Sequence, residues 1–91
     1  MALTKETVVD KIEVLEMGQV QVRTATRVME DGVQLSSSFH RHVVEPSTKA
    51  SGSWADTDIS GEDARVQAIA TATWTSAVKT AYQEMIDAQA L

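Results

Sequence analysis

His40 and His42 are the only two histidines of the chain and stand two residues apart in Phe39-His40-Arg41-His42-Val43. On a β-strand, side chains at i and i+2 share a face. Two neutral imidazoles so placed can chelate zinc, nickel or iron. No third ligand lies nearby in sequence, and Arg23, expected opposite His40, would repel a cation. A symmetric trimer could gather three such pairs around one ion. Known trimeric sites of that kind sit in narrow intertwined β structures, which a chain with two C-terminal helices resembles poorly. The favoured reading is a polar face on which His40, His42 and Arg23 touch a partner, with Arg41 and Trp54 as further contact candidates off that face.

A second constellation is Asp56-x-Asp58-x-Ser60-Gly61, the opening of a calcium loop. The match then lapses. Gln67 stands where a bidentate glutamate belongs, Asp63 holds a position usually apolar, and no helix precedes the loop. Ser60 already has a sufficient task as a helix cap. For nucleophilic catalysis, Ser36, Ser37 and Ser38 lie near His40, but no G-x-S-x-G elbow is present and cysteine is absent. There is no glycine-rich phosphate loop. The chain is therefore read as a non-enzyme with no cofactor and no bound metal.

The elements that must position these residues begin with Asp31-Gly32, a strong two-residue hairpin signal between alternating runs. Three strands are expected, at about 8–16, 20–29 and 33–44, forming an antiparallel meander. With Asp31 and Gly32 central, Val28 faces Leu35, Thr26 faces Ser37, Thr24 faces Phe39, Arg23 faces His40, Gln21 faces His42 and Val20 faces Val43. This register puts His40 and His42 opposite the apolar side. It also sets Arg41 against Val22 on that apolar side, a misfit that a bulge near Phe39 would relieve. A three-residue loop, Met17-Gly18-Gln19, joins the first two strands and pairs Val14 with Val22 and Ile12 with Thr24. The first strand is the candidate free edge for a partner strand, although Lys11, Glu13 and Glu16 are also the usual protection of such an edge.

Residues 45–59, rich in serine and containing Pro46 and Gly52, read as a long loop with Trp54 inside it. Trp54 needs a pocket, on its own domain or on a neighbour. Ser60-Gly61-Glu62-Asp63 fits a capping box opening a helix over about 61–73. Thr75 caps a second over about 76–88, with Val78, Ala81, Tyr82, Met85 and Ile86 at helical spacing. The fold class is α+β: one domain spanning 1–91, with both helices packed on one face of the sheet.

The 91 residues carry a formal net charge of −5, and the eight basic residues never form a run, which argues against nucleic-acid binding. No apolar stretch approaches a membrane span, and Met1–Lys5 lacks the apolar core of a signal peptide. Synthesis in the cytoplasm, without a signal peptide, is expected. A chain this short buries roughly 60–65% of its unfolded surface, so support from partners is expected too.

Several segments are read together: Leu3-Thr4-Lys5-Glu6-Thr7-Val8-Val9-Asp10-Lys11-Ile12-Glu13-Val14, Val20-Gln21-Val22-Arg23-Thr24-Ala25-Thr26 and Glu30-Asp31-Gly32. Ser38-Phe39-His40-Arg41-His42-Val43-Val44, Ser60-Gly61-Glu62-Asp63-Ala64-Arg65-Val66-Gln67-Ala68-Ile69, Trp74-Thr75 and Ala81-Tyr82-Gln83 complete the set. Together they resemble a group of small proteins encoded by tailed bacteriophages, which implies synthesis in a host bacterium. The similarity covers nearly all of the chain except Lys49 to Thr57, where such proteins have a shorter Pro-Gly-Asp-Asp-like loop. Trp54 lies in this departure. The resemblance implies a virion structural protein in many copies, held by other virion proteins or by copies of itself in a symmetric assembly. The tail, baseplate or fibre-attachment region is favoured over head decoration. It transfers no catalytic residue. The alternative is a small module made during infection that binds a host or phage protein and never enters the particle.

Overall fold

The computed structural model describes residues 2–89. Three long strands, β1 (Leu3–Val14), β2 (Val20–Glu30) and β3 (Val33–Val44), form an antiparallel sheet in the order β1-β2-β3. A small hairpin follows, β4 (Ser47–Ala50) and β5 (Ser53–Asp56), and then two helices, α1 (Ala64–Thr73) and α2 (Ser76–Gln89). The α+β class and the meander agree with the sequence. The boundaries and registers differ in instructive ways.

β1 starts at Leu3 rather than near residue 8 and ends at Val14 rather than 16. Its first half buries little, so no apolar alternation announces it. Pairing with the whole of β2, from Leu3 opposite Glu30 onward, makes it a strand. The β1–β2 loop is wider than expected. The Leu15 N–H donates to Gln19 O (2.8 Å) and the Gly18 N–H to Leu15 O (3.0 Å). Val14 therefore pairs with Val20 and Ile12 with Val22, two positions from the expected register. Because the slip is even, Ile12 and Val14 keep their expected face.

The β2–β3 register starts as expected, with Glu30 opposite Val33 and Met29 opposite Gln34. A bulge at Leu35 then shifts every later pair by one. Val28 meets Ser36, Thr24 meets His40, Arg23 meets Arg41, Val22 meets His42 and Val20 meets Val44. A one-residue slip reverses faces. His40 and His42 thus lie on the side of Val20 and Val22, not opposite it, and Arg41 leaves the apolar side. The anticipated bulge exists, but beside the hairpin tip rather than at Phe39.

The segment expected as loop 45–59 contains the β4–β5 hairpin. Ser51 (φ 53°) and Gly52 (φ 80°) repeat the geometry of Asp31 (φ 49°) and Gly32 (φ 81°), two left-handed central residues as a tight hairpin turn requires. The serine-rich composition concealed it. α1 begins at residue 64, not 61, because Asp63 is the cap, its Oδ1 accepting from the Arg65 N–H at 2.9 Å. Ser60 caps nothing; its own N–H donates to Asp58 Oδ1 at 2.9 Å. Thr75 caps α2 as expected, its hydroxyl accepting from the Val78 N–H at 3.3 Å.

The helices occupy one sheet face but cover only its base. The core gathers Val20, Val22 and Val44 of the sheet with Val66, Ala70 and Trp74, and Val9, Ile12, Ile59 and Val78 pack around it. Trp74 Nε1 donates to the Gly18 carbonyl at 2.7 Å. α2 rests mainly on the small hairpin, where Gln83 Nε2 donates to the buried Ser47 hydroxyl at 3.1 Å. The Arg65 guanidinium donates to the Val9 carbonyl and ties α1 to β1. Past this base the three strands continue without helices over them. The molecule measures 57 × 26 × 23 Å, with a radius of gyration of 17.0 Å. A compact chain of this length has about 12 Å.

Gly18 sits where the loop, Pro46 and α2 converge, at φ +90°. A Cβ there would stand 2.5 Å from Val78 and 3.1 Å from Pro46. Gly18→Ala should cost about 2–4 kcal/mol, from backbone strain plus overpacking. Gly32→Ala, at similar φ in open space, should cost about 1–2 kcal/mol. Urea unfolding of both variants checks the difference, and equal costs would show that the close approach at Gly18 contributes nothing.

Candidate interaction surface

The extended half of the sheet is an arm whose two faces carry different chemistry. On the face away from the helices, a bulge between Val9 and Lys11 inserts Asp10 beside Arg23. Arg23 holds it with both arms of its guanidinium, Nε to Oδ1 at 2.9 Å and Nη2 to Oδ2 at 2.8 Å. The same guanidinium lies 4.5 Å from the centroid of the Phe39 ring. One residue from each strand is thus linked: carboxylate, guanidinium, aromatic ring. The Arg23 hydrogen bonds hold the Asp10 carboxyl below the usual carboxylate range against the opposing effect of burial. Asp10 in turn raises Arg23.

Further ion pairs flank this link on β1 and β2. Lys11 pairs with Glu13 at 2.9 Å and lowers its carboxyl, and Arg27 approaches Glu6 at 3.7 Å. Among the described residues β3 has no such pairs along the arm. Every residue from Asp31 to Arg41 is exposed. Among them and just beyond stand Val33, Leu35, Phe39 and Val43, each more than half exposed. Arg41 faces Arg23 across the ladder and, among the described residues, forms no ion pair. Of the expected interface residues, Arg23 and Arg41 therefore share the outer face, while His40 and His42 lie on the other.

His42 Nε2 stands 2.7 Å from Glu62 Oε1, and its ring stacks with that of His40 at 6.2 Å between centroids. The pair fastens the lead into α1 onto β3. No group of three or more potential ligands comes together among the described residues. Asp56 accepts from Lys79 Nζ at 2.9 Å, while Asp58 binds the Ser60 N–H, which lowers its carboxyl. The half calcium motif is thus divided between separate structural tasks.

Trp54 finds its pocket within the chain. It meets Tyr82 edge-on (6.2 Å, 74°), its Nε1 donates to Asp87 Oδ2 at 3.4 Å, and Lys49 Nζ lies 5.4 Å over its ring. Lys49 also bonds Asp87 Oδ1 at 2.8 Å, and with Trp54 it lowers that carboxyl. Burial, with Glu45 beside the phenol, pushes Tyr82 up to about 12.

Sequence reasoning missed Asp10, Glu62 and the outward turn of Phe39. The available signal was the Arg41 misfit: moving Arg41 outward carries Phe39 with it. Comparisons with protein-family models, curated proteins and solved structures find no match. No helix among the described residues is long and apolar enough to cross a membrane.

Two pH effects follow from the geometry. Because the Asp10 carboxyl is lowered in the folded chain, it stabilises above the unfolded value of about 3.9, and this is lost as pH falls through the folded value. The stability gap between wild type and Asp10→Asn should be widest at neutral pH and shrink in acid, measured by urea midpoints across that range. A constant gap would detach Asp10 from the acid limb. Tyr82, the lone tyrosine, is raised, so its neutral form stabilises below the unfolded value of about 10, and this is lost as pH rises through about 12. Ultraviolet titration should show phenolate formation delayed in the folded chain and near the unfolded value in urea.

Proposed function

We propose that this chain is a structural component of a tailed-phage virion, present in many copies and held in place by protein contacts through its arm. The phage setting is supported by the sequence resemblance. The contact role is supported by one observation above others: the part of the sheet beyond Thr24 has no layer packed on it. Sheets of ordinary domains bury at least one face. An arm with exposed apolar side chains and two free edges suits a chain whose remaining burial comes from neighbours. In this reading the chain works by binding, without catalysis. The tail, baseplate or fibre-attachment region fits an elongated module better than head decoration does.

Mass spectrometry of purified particles of the encoding phage tests the proposal. The chain should be found at a stoichiometry matching other multi-copy tail proteins. Its absence from particles, with retention on a single host or phage protein in infected-cell extracts, would replace this reading with that of a non-virion binding module.

A further inference from the structure

The two edges of the sheet are built differently. β1 carries Lys5, Glu6, Asp10, Lys11 and Glu13, and it bulges at Asp10. Charges and bulges are the ordinary means by which an edge refuses other strands. β3 runs Val33-Gln34-Leu35-Ser36-Ser37-Ser38-Phe39 with no formal charge and no proline, and its bulge lies at the tip end. Its first charged residue is Arg41. No backbone hydrogen bond from another element reaches its outer edge among the described residues.

We propose that the outer edge of β3 pairs antiparallel with the same edge of a second copy, joining two arms into one six-stranded sheet about a twofold axis. The inference names the partner in the assembly reading and rests on that reading for its setting. A twofold contact requires a self-complementary surface, and β3 has one. Leu35, Phe39 and Val43 are 56%, 51% and 52% exposed and stand four residues apart. Their apolar-polar pattern reads the same in both directions along the strand. Antiparallel pairing centred on Phe39 sets it against the partner's Phe39 and sets Leu35 beside the partner's Val43. Ser37 then faces the partner's Arg41, so the one formal charge of the strand never meets itself. Sliding the copies by one repeat either way puts Arg41 opposite Phe39 or Leu35. Sliding further in one direction puts Arg41 against its own copy. An unrelated protein partner would impose no such symmetry on the sequence. The acidic residues behind the chain's net charge of −5 lie off this contact, because β3 contains none.

The register is tested through Ser37, whose exposed side chain can be replaced without touching the core. Sedimentation equilibrium should show the wild-type chain dimerising. Ser37→Lys, which opposes a cation to the partner's Arg41 twice per dimer, should weaken the dimer roughly fivefold to tenfold, and Ser37→Glu should tighten it by a similar factor. Adding Arg41→Glu to Ser37→Lys replaces the repulsion by an opposite-charge pair and should tighten the dimer beyond wild type, as Ser37→Glu does. A wild-type monomer at all concentrations overturns the inference, as does a dimer indifferent to both Ser37 variants. Neither result bears on the virion reading, which fails separately if the chain is absent from particles.

Discussion

For α1 to close over the sheet, Val44 has to lie beside Val20, because these two and Val22 are what Val66, Ala70 and Trp74 cover. The Asp31-Gly32 turn alone would put Val43 there and turn Val44 outward. One extra residue at Leu35 reconciles the turn with the core, and everything else on β3 follows from it. His42 comes round to meet Glu62, Arg41 goes out beside Arg23, and Phe39 comes under the Arg23 guanidinium. A bulge near a hairpin tip thus sets the chemistry of both faces over the full length of the strand.

The energetic consequence is a molecule of two unequal parts. At the base, small β-branched side chains are fully excluded from water, each contributing about 1.5–3 kcal/mol. The Trp74 N–H bonds the Gly18 carbonyl and the buried Ser47 hydroxyl accepts from Gln83, while Gln19 Oε1 is buried there without a hydrogen-bond partner among the described residues. In the arm, order rests on ladder hydrogen bonds and cross-strand pairs, each contributing only tenths to about 1 kcal/mol. A sheet of three strands usually needs an apolar face or a packed helix to be stable by itself. The arm has strands continuous with the core, which anchors them at one end, and exposed apolar side chains at the other.

What the sequence disclosed follows from the range of its signals. Asp31-Gly32, Thr75 and the spacing of Val78, Tyr82, Met85 and Ile86 act within a few residues, and each gave its element correctly. The β4–β5 hairpin was concealed because Ser51-Gly52 is a weaker turn signal in a serine-rich stretch, and its strands are only four residues long. Asp63 and Ser60 compete for one capping role with the same local chemistry, and only packing decides between them. The registers are non-local. Whether Val14 meets Val20 or Val22 depends on a loop closed by Leu15 and Gln19, which looks like ordinary strand sequence. The Arg41 misfit carried the necessary information about the bulge, but not its position, because a bulge anywhere between the turn and Arg41 relieves it equally.

The outer-face link from Asp10 through Arg23 to Phe39 is the chief structural consequence of this bulge. Asp10 is itself a bulge residue, so two irregularities on opposite strands combine to fix one aromatic ring. Arg23 is held by two charge-assisted hydrogen bonds, and its guanidinium lies 4.5 Å from the centroid of the Phe39 ring. An exposed phenylalanine on a plain strand would have to be ordered on association, at about 0.5–1.5 kcal/mol. Here a fixed guanidinium already lies against one side of the ring. The charged edge β1 therefore contributes to the uncharged edge β3 from across the sheet: its carboxylate neutralises Arg23, so that Arg23 and Arg41 can stand side by side on the face where Phe39 is presented.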